Sequence, residues 1–320
     1  MNNLKKIGLT ALAGSLVATS VAYAGELAVT GSAGMNLKNY GNSQTGKSVS
    51  MANSVYFKGG GETDAGLNVN VSFELDPGAA NNSSNGFDNH FVSVGNDTLG
   101  TLTLHGHGGA NSASALDTTA AGDLWDNTLM STVATPALGR NAPFSSTSGN
   151  NLMVYSLPTM IDGLAVAGSY QAANTTGTGS TAYGLTYTGL EGLSVSYGAG
   201  ESEDVAGAAA DQNIYKASYV YGSVTAGVSY NDYESSTNTE DQTVTAFGLS
   251  YTVSDQISVS YGEETIDRAD KHEDMEVAGV SVSYTTGGMT ASVSQNEAKS
   301  SEHTANMDKE MWNIGLSFAF

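Results

Sequence analysis

Apolar and polar residues alternate along most of the chain. In the stretch "LTYTGLEGLSVSYG", residues 185–198, apolar side chains occupy every second position on both sides of a short turn, at Leu185, Tyr187, Leu193, Val195 and Tyr197. Thr, Ser and Gly fill most of the positions between them. Alternation with a period of two predicts a β-strand with one apolar and one polar face. The stretch therefore predicts a β-hairpin.

The same alternation predicts about sixteen strands along the chain. We place them near residues 26–38, 49–59, 66–75, 88–95, 100–107, 151–157, 163–171, 181–188, 192–199, 212–220, 223–231, 242–251, 256–264, 274–284, 289–297 and 309–320.

The connections between the predicted strands alternate in length. Tight turns such as "GNDTLG" and "TGLEG" alternate with longer polar stretches such as "DPGAANNSSNGFDN", "ESEDVAGAAADQN" and "NEAKSSEHTANMDKE". Short turns at one end and long connections at the other are typical of a transmembrane antiparallel β-barrel. In lipid a sheet must close on itself, because the bilayer offers no partner to backbone N–H and C=O groups. The prediction is all-β, a barrel whose apolar strand faces meet lipid and whose polar faces line a lumen.

Tyrosines recur at matching positions of the hairpins. One series falls before the short turns and a second series falls after them; together they include Tyr155, Tyr187, Tyr219, Tyr251 and Tyr284, and Tyr170, Tyr197, Tyr230 and Tyr261. Two rings of aromatic residues at the lipid–water boundaries are expected of a membrane barrel. The alternatives are a soluble solenoid, which would show a shorter and stricter repeat, and a soluble sandwich.

The N-terminal residues have the pattern of an export signal. Lys5 and Lys6 precede an apolar run, and Ala22-Tyr23-Ala24 supplies small residues at a cleavage position. We expect residues 1–24 to be a cleaved signal peptide and residues 25–320 to be the barrel domain. Export then directs the barrel to the cell outer membrane.

Composition excludes several classes of function. The chain has 32 acidic residues against 11 basic ones and a formal net charge of −21, so it has no basic surface for nucleic acid. It has no cysteine, and none of the common nucleophile, phosphate-loop or zinc-helix motifs occurs in it. We predict that the protein is not an enzyme and needs no cofactor.

Three segments resemble the general diffusion porins of Gram-negative bacteria, as found in α- and β-proteobacteria. They are "HFVSVGNDTLGTLTLHG" (90–106), which resembles the hairpin before the family's constriction loop, "NLMVYSLPTMIDGLAVAGSY" (151–170), which resembles the hairpin after it, and the C-terminal "WNIGLSFAF". The resemblance implies a sixteen-stranded barrel, a homotrimer in outer-membrane lipid, and passive diffusion of small hydrophilic solutes and ions. It also implies that Phe320 is the assembly signal.

The long connection between these hairpins, about residues 108–150, is expected to be the inward-folded third loop that narrows the pore. It contains three carboxylates that would form its acidic side, Asp117, Asp123 and Asp126. Carboxylates in a narrow passage attract cations. We therefore predict a preference for cations.

The wall that faces this loop carries few positive residues. Strand parity places Lys38 and Lys216 on the lumen face, and His105 and His107 stand near the position of the family's arginine. Lys58 also falls on the lumen face, and we expect it near the rim rather than at the narrowest point. The two histidines could share a metal ion, but no third ligand is identifiable, so no metal is predicted.

The sequence also allows other assignments. Carboxylate-rich outer loops such as "DPGAANNSSNGFDN" could bind Ca²⁺, although they lack the spacing of a dedicated calcium loop. A substrate-specific outer-membrane channel and a structural or adhesive surface barrel are the alternatives to a general pore.

Overall fold

The computed structural model describes residues 26–42, 46–76, 87–116, 119–121, 150–173, 179–203, 209–236 and 241–320. The predictions for residues 1–24 lie outside these ranges. Among the described residues, no helix is long and apolar enough to cross a membrane.

Sixteen antiparallel strands form one closed barrel. In chain order they are β1 Glu26–Asn42, β2 Gly46–Glu62, β3 Asn68–Leu75, β4 His90–Asn96, β5 Gly100–His107, β6 Leu152–Ser156, β7 Leu164–Gln171, β8 Gly179–Tyr187, β9 Leu193–Glu203, β10 Ala209–Tyr221, β11 Val224–Ser235, β12 Gln242–Thr252, β13 Ile257–Arg268, β14 Met275–Thr286, β15 Met289–Lys299 and β16 Lys309–Ala319. Two short 3₁₀ helices, Ser114–Leu116 and Ser301–His303, lie in connections.

Each strand pairs with its neighbours in sequence, and β1 closes the barrel against β16. The β1–β16 ladder runs from Ser32 opposite Ala319 to Asn42 opposite Lys309. Beyond it, the Gly31 amide donates to the Phe320 carbonyl at 2.8 Å, and the Phe320 amide donates to the Gly31 carbonyl at 2.9 Å. Closure satisfies the two edges that an open sheet would expose.

The two ends of the barrel differ in their connections. At the end that we call the turn end, seven short turns join β2 to β3, β4 to β5, and so on to β14 and β15. At the opposite loop end lie the longer connections, including the third one, between β5 and β6. The predicted number of strands is confirmed, and the longest connections, β3 to β4, β5 to β6 and β15 to β16, all lie at the loop end.

The strand boundaries differ from the prediction at the loop end. The stretch "ESEDVAGAAADQN", predicted to be a long loop, belongs largely to β9 and β10, and Glu201 lies directly opposite Asp211 in their ladder. Likewise β1 and β2 extend to Asn42 and from Gly46, so only a tight connection separates them. Polar residues continue the strand pairing where both faces of the sheet are outside lipid. Apolar alternation alone therefore predicts strands that are too short at the loop end.

The sheet has one apolar outer face and one inner face of small and polar residues. On β10, for example, Tyr215 and Tyr219 are each 49% exposed on the outside, whereas Gln212 and Ile214 are buried on the inside. The largest buried apolar cluster lies inside the barrel, on strands β12 to β16, and consists of Val244, Ala246, Ile266, Met275, Val277, Ala298 and Met311 together with Ala121 from the third long connection.

Candidate pore interior

The first described part of the third connection, Asn111 to Leu116, lies against the inner wall. The Asn111 side-chain oxygen accepts hydrogen bonds from the amides of Ala113 and Ser114, at 3.0 and 2.8 Å, and so fixes a tight turn. The Ser112 amide donates to Ser169 Oγ on β7 at 2.8 Å. Ala113 is fully buried and packs against Ala182 of β8 and Ile214 of β10, with Leu116 beside them; these contacts hold the segment on the wall.

The second described part, Thr119 to Ala121, lies further around the same wall. Thr119 Oγ1 donates to Glu264 Oε1 of β13 at 2.7 Å. The Ala120 amide donates to Ser229 Oγ of β11 at 3.1 Å. Ala121 is 3% exposed and completes the apolar cluster on β12 to β16. The described loop residues therefore follow the inner wall from β7 to β13.

The acidic residues chosen from the sequence cannot be placed on this wall. Asp117, Asp123 and Asp126 lie outside the described residues, and their role in a constriction stays a prediction. Two other carboxylates are buried on the inner face, Glu264 at 1% exposure and Glu74 at 4%. Strand parity could have found both, since each follows a run of alternating residues.

Glu74 is held by the barrel wall itself rather than by the loop. Tyr56 Oη donates to Glu74 Oε1 at 2.6 Å, and the Asn89 side-chain amide donates to Glu74 Oε2. Glu74 also lies within 4.8 Å of the carboxylates of Asp76 and Asp88, in the connection that the sequence suggested for Ca²⁺. Both oxygens of Glu74 already accept hydrogen bonds from protein donors.

The four side chains predicted for the pore wall lie on three strands spread around the barrel, β1, β5 and β10. Lys38 is on the inner face near the loop end of β1, and Lys216 is on β10 between strands that contact the loop segment. His105 faces inward and its ring lies 5.6 Å from the ring of Phe91, a contact that sequence reasoning missed. His107 ends β5 and lies 3.8 Å from Asp88. The structure does not bring these four together.

Two further cations on the inner face were not predicted. Arg268 ends β13 and Lys309 begins β16, and both side chains are largely buried. Arg268 pairs with Asp270 in the next connection at 2.7 Å. Lys271, with Arg268, holds the pKa of the Asp270 carboxyl below its ordinary value. The described inner face therefore carries two cations that the sequence analysis did not include, and one of them is paired with a carboxylate.

The predicted girdle tyrosines lie on the outer face. Tyr187 and Tyr197 are partly buried. The other seven are more than a third exposed: Tyr155, Tyr170, Tyr219, Tyr230, Tyr251, Tyr261 and Tyr284. The structure adds Tyr183 and Tyr215, which join Tyr197 and Tyr230 in a ladder of neighbouring rings across β8 to β11. Ring centroids along it are 5.0 to 6.3 Å apart, a spacing at which aromatic pairs attract.

Phe320 closes the outer face next to β1. Its ring lies over Gly31, where an added Cβ would stand 2.7 Å from the ring carbons. The residue thus has a defined seat in the closed barrel. Its role as an assembly signal stays a prediction.

A sixteen-stranded closed barrel with an apolar exterior and a polar interior is the architecture of outer-membrane channels. A family model for Gram-negative porins matches residues 8–275 of the chain. The chain belongs to the Gram-negative porin family, and it is an outer-membrane protein. No curated protein sequence matches the chain.

Solved structures of other bacterial proteins share the fold at low sequence identity. The trimer form of OmpT, an outer membrane protein of Vibrio cholerae, is 13% identical with a TM-score of 0.72, over 93% of this chain and 100% of that one. OmpF of Salmonella typhi, in complex with daunomycin, is 15% identical with a TM-score of 0.66, over 92% and 97%. A mutant of the Rh. blastica porin is 14% identical with a TM-score of 0.62, over 92% and 100%.

Proposed function

We propose that the barrel is a water-filled channel for passive diffusion of small hydrophilic solutes and ions, with no catalytic step. The observation that carries this proposal is the inner face, which on most strands is rich in serine, threonine, asparagine and glycine, outside the apolar cluster on β12 to β16. Barrels of sixteen strands are wide enough to leave an aqueous channel. The described loop residues lie along one side of that channel.

Conductance across a planar lipid bilayer tests the channel. Protein refolded in detergent should insert with stepwise, ohmic current increments, and liposomes that contain it should swell in small sugars. Heat-modifiable migration on a gel, checked on the same sample, shows that the barrel has folded. Folded protein that conducts no ions would exclude the channel and favour a structural or adhesive surface barrel.

Cation preference is the second part of the proposal. The net charge of −21 and the acidic residues Asp117, Asp123 and Asp126 support it. The inner-wall cations Lys58 and Lys309 oppose it, while Arg268 is paired with Asp270, so the reversal potential under a KCl gradient decides the sign of the preference. Replacing the three aspartates together by asparagine should reduce the preference. A reversal potential with the sign of an anion-preferring pore would contradict this part alone.

A homotrimer is the third part of the proposal. The OmpT structure described as a trimer form supports it by its shared fold. Light scattering of the detergent complex, corrected for bound detergent, should give three chains per particle, and unheated samples should migrate as an SDS-resistant species. A single chain per particle would contradict it.

Calcium at the outer connection is a minor part of the proposal. The grouped carboxylates of Glu74, Asp76 and Asp88 support it. Millimolar CaCl₂ should then raise the Tm of the parent protein and not that of Asp88→Asn. An equal response from both proteins would exclude a specific site.

A further inference from the structure

Five inward-facing glycines lie along the wall that the loop follows, on β8, β9, β11, β12 and β13. They are Gly184 of β8, Gly198 of β9, Gly227 of β11, Gly248 of β12 and Gly262 of β13. Each lies about three to five residues from the turn end of its strand, which places all five at a similar depth in a barrel of tilted strands. We call these five residues the glycine track.

The loop backbone occupies the space that side chains would fill at the track. A Cβ added at Gly198 would stand 3.2 Å from Ala113 Cα, and one added at Gly262 would stand 2.8 Å from Ala121 Cβ. At Gly248 the added atom would overlap the Ala120 carbonyl oxygen, and at Gly184 it would overlap the Ser112 carbonyl oxygen. Ordinary contacts between carbon atoms are about 3.5–4.0 Å, so the loop seats only because these side chains are missing.

Hydrogen bonds on neighbouring residues fix the loop at this depth. Three inner-face side chains hydrogen-bond loop residues: Ser169, Ser229 and Glu264. Ser229 and Glu264 each stand two residues from a track glycine, and Ser169 lies on β7, beside the track strand β8. The track supplies the room and these side chains supply the attachment. The loop therefore contacts the inner wall from β7 to β13, and it meets a glycine on five of these strands, β8, β9, β11, β12 and β13.

We propose that the glycine track determines the bore of the pore, because it sets how far loop residues 111–116 and 119–121 stand from the wall. The track residues are positioning residues: they act on permeating solutes through the loop. A side chain added at the track displaces the loop toward the lumen axis and narrows the passage, and narrowing lowers both ion flux and the size limit for neutral solutes. The inference rests on the channel proposed above.

The test compares methyl groups added at two places on the inner face. Gly248→Ala/Gly262→Ala places both methyl groups under the loop. Gly34→Ala is the matched control, since Gly34 of β1 also faces inward and an added Cβ there would meet its nearest atom at 3.5 Å. Single-channel conductance and exclusion of neutral polymers of graded size are measured for the parent, the double variant and the control.

The double variant should conduct about 1.5-fold less than the parent and exclude smaller polymers, while the control keeps parental values. Ala121→Leu, which enlarges the loop instead of the wall, should act in the same direction and leaves the strands unchanged if the double variant fails to fold. Parental or increased conductance in folded protein would overturn the inference. A parent that conducts nothing would instead refute the channel itself.

Discussion

Two parts of the inner wall at the same depth are built in opposite ways. From β8 to β13 the wall presents glycine to the loop, at Gly198, Gly248 and Gly262 for example. From β2 to β5, about four to five residues from the turn end, it presents large side chains, Lys58, Phe91 and His105. The difference shows that, where this wall packs against the loop backbone, glycine stands in place of larger side chains. The side chains that meet permeating solutes then come from the opposite wall.

The largest effect is expected where the loop-bearing wall is packed most tightly. Ile266 of β13 is fully buried in the apolar cluster around Ala121. Ile266→Ala should lower the free energy of unfolding by about 2–4 kcal/mol, because it removes buried methyl groups and leaves a cavity. Val154→Ala, on the inner face of β6 but partly exposed, should cost less than about 1 kcal/mol. Equilibrium unfolding in denaturant, in the same detergent, measures both.

Equal losses at these two positions would break the comparison. They would show that the cluster on β12 to β16 packs no better than the exposed part of the lumen.

A smaller effect is expected from two hydrogen bonds of similar chemistry, one on each wall. The Thr119–Glu264 bond joins loop to wall, whereas the Tyr56–Glu74 bond lies within the wall. Double-mutant cycles should give coupling energies of about 1.5–3 kcal/mol for both, as for hydrogen bonds to charged acceptors. Thr119→Val should also change single-channel conductance or its noise, because it frees the loop, and Tyr56→Phe should leave both at parental values.

If Tyr56→Phe alters conductance as much as Thr119→Val, the effect on conductance does not depend on attachment of the loop. Circular dichroism of each single variant confirms that the barrel has formed before conductance is compared.

The smallest effect sharpens the comparison through ion selectivity. Lys58 lies at the depth of the loop on the wall opposite to it, and Lys216 lies on the wall that the loop segment follows. Lys58→Met should shift the reversal potential under a KCl gradient further toward cation preference than Lys216→Met, because a fixed charge acts most strongly where solutes pass it closely. A larger shift for Lys216→Met would place the permeation path on the β8–β13 side.

Period-two alternation predicted the fold because each strand faces lipid on one side and water or protein on the other. It identified the number of strands, the faces of the tyrosines and the inward direction of Lys216 and His105. It predicted β1, β2, β9 and β10 too short at the loop end. The apolar alternation stops where contact with lipid stops, whereas strand pairing continues beyond that point. The alternation also ended the second strand at residue 59 and so put Lys58 at the rim, whereas β2 continues to Glu62, four residues beyond Lys58.

The loop contacts could not be derived in the same way, because they depend on which strands a chain segment meets after leaving the wall. A signal was nevertheless present in the sequence. Glycine stands at inward positions inside "AYGLTY", "AFGLSY" and "SYGEET", and a glycine within a strand marks a close approach of backbone. Glu264 and Thr119 are 145 residues apart, and nothing in the alternation pattern identifies them as hydrogen-bond partners.

The pairing of β1 with β16 has a consequence for the order of folding. The first strand of the barrel finds its second partner only when the last strand is available, so every intermediate that lacks β16 has two open edges. Such an intermediate is prone to pair with other chains, and loop closure over nearly the whole domain is the slow, non-local step. A chain that stops before Lys309 would therefore be expected to aggregate instead of forming a smaller barrel.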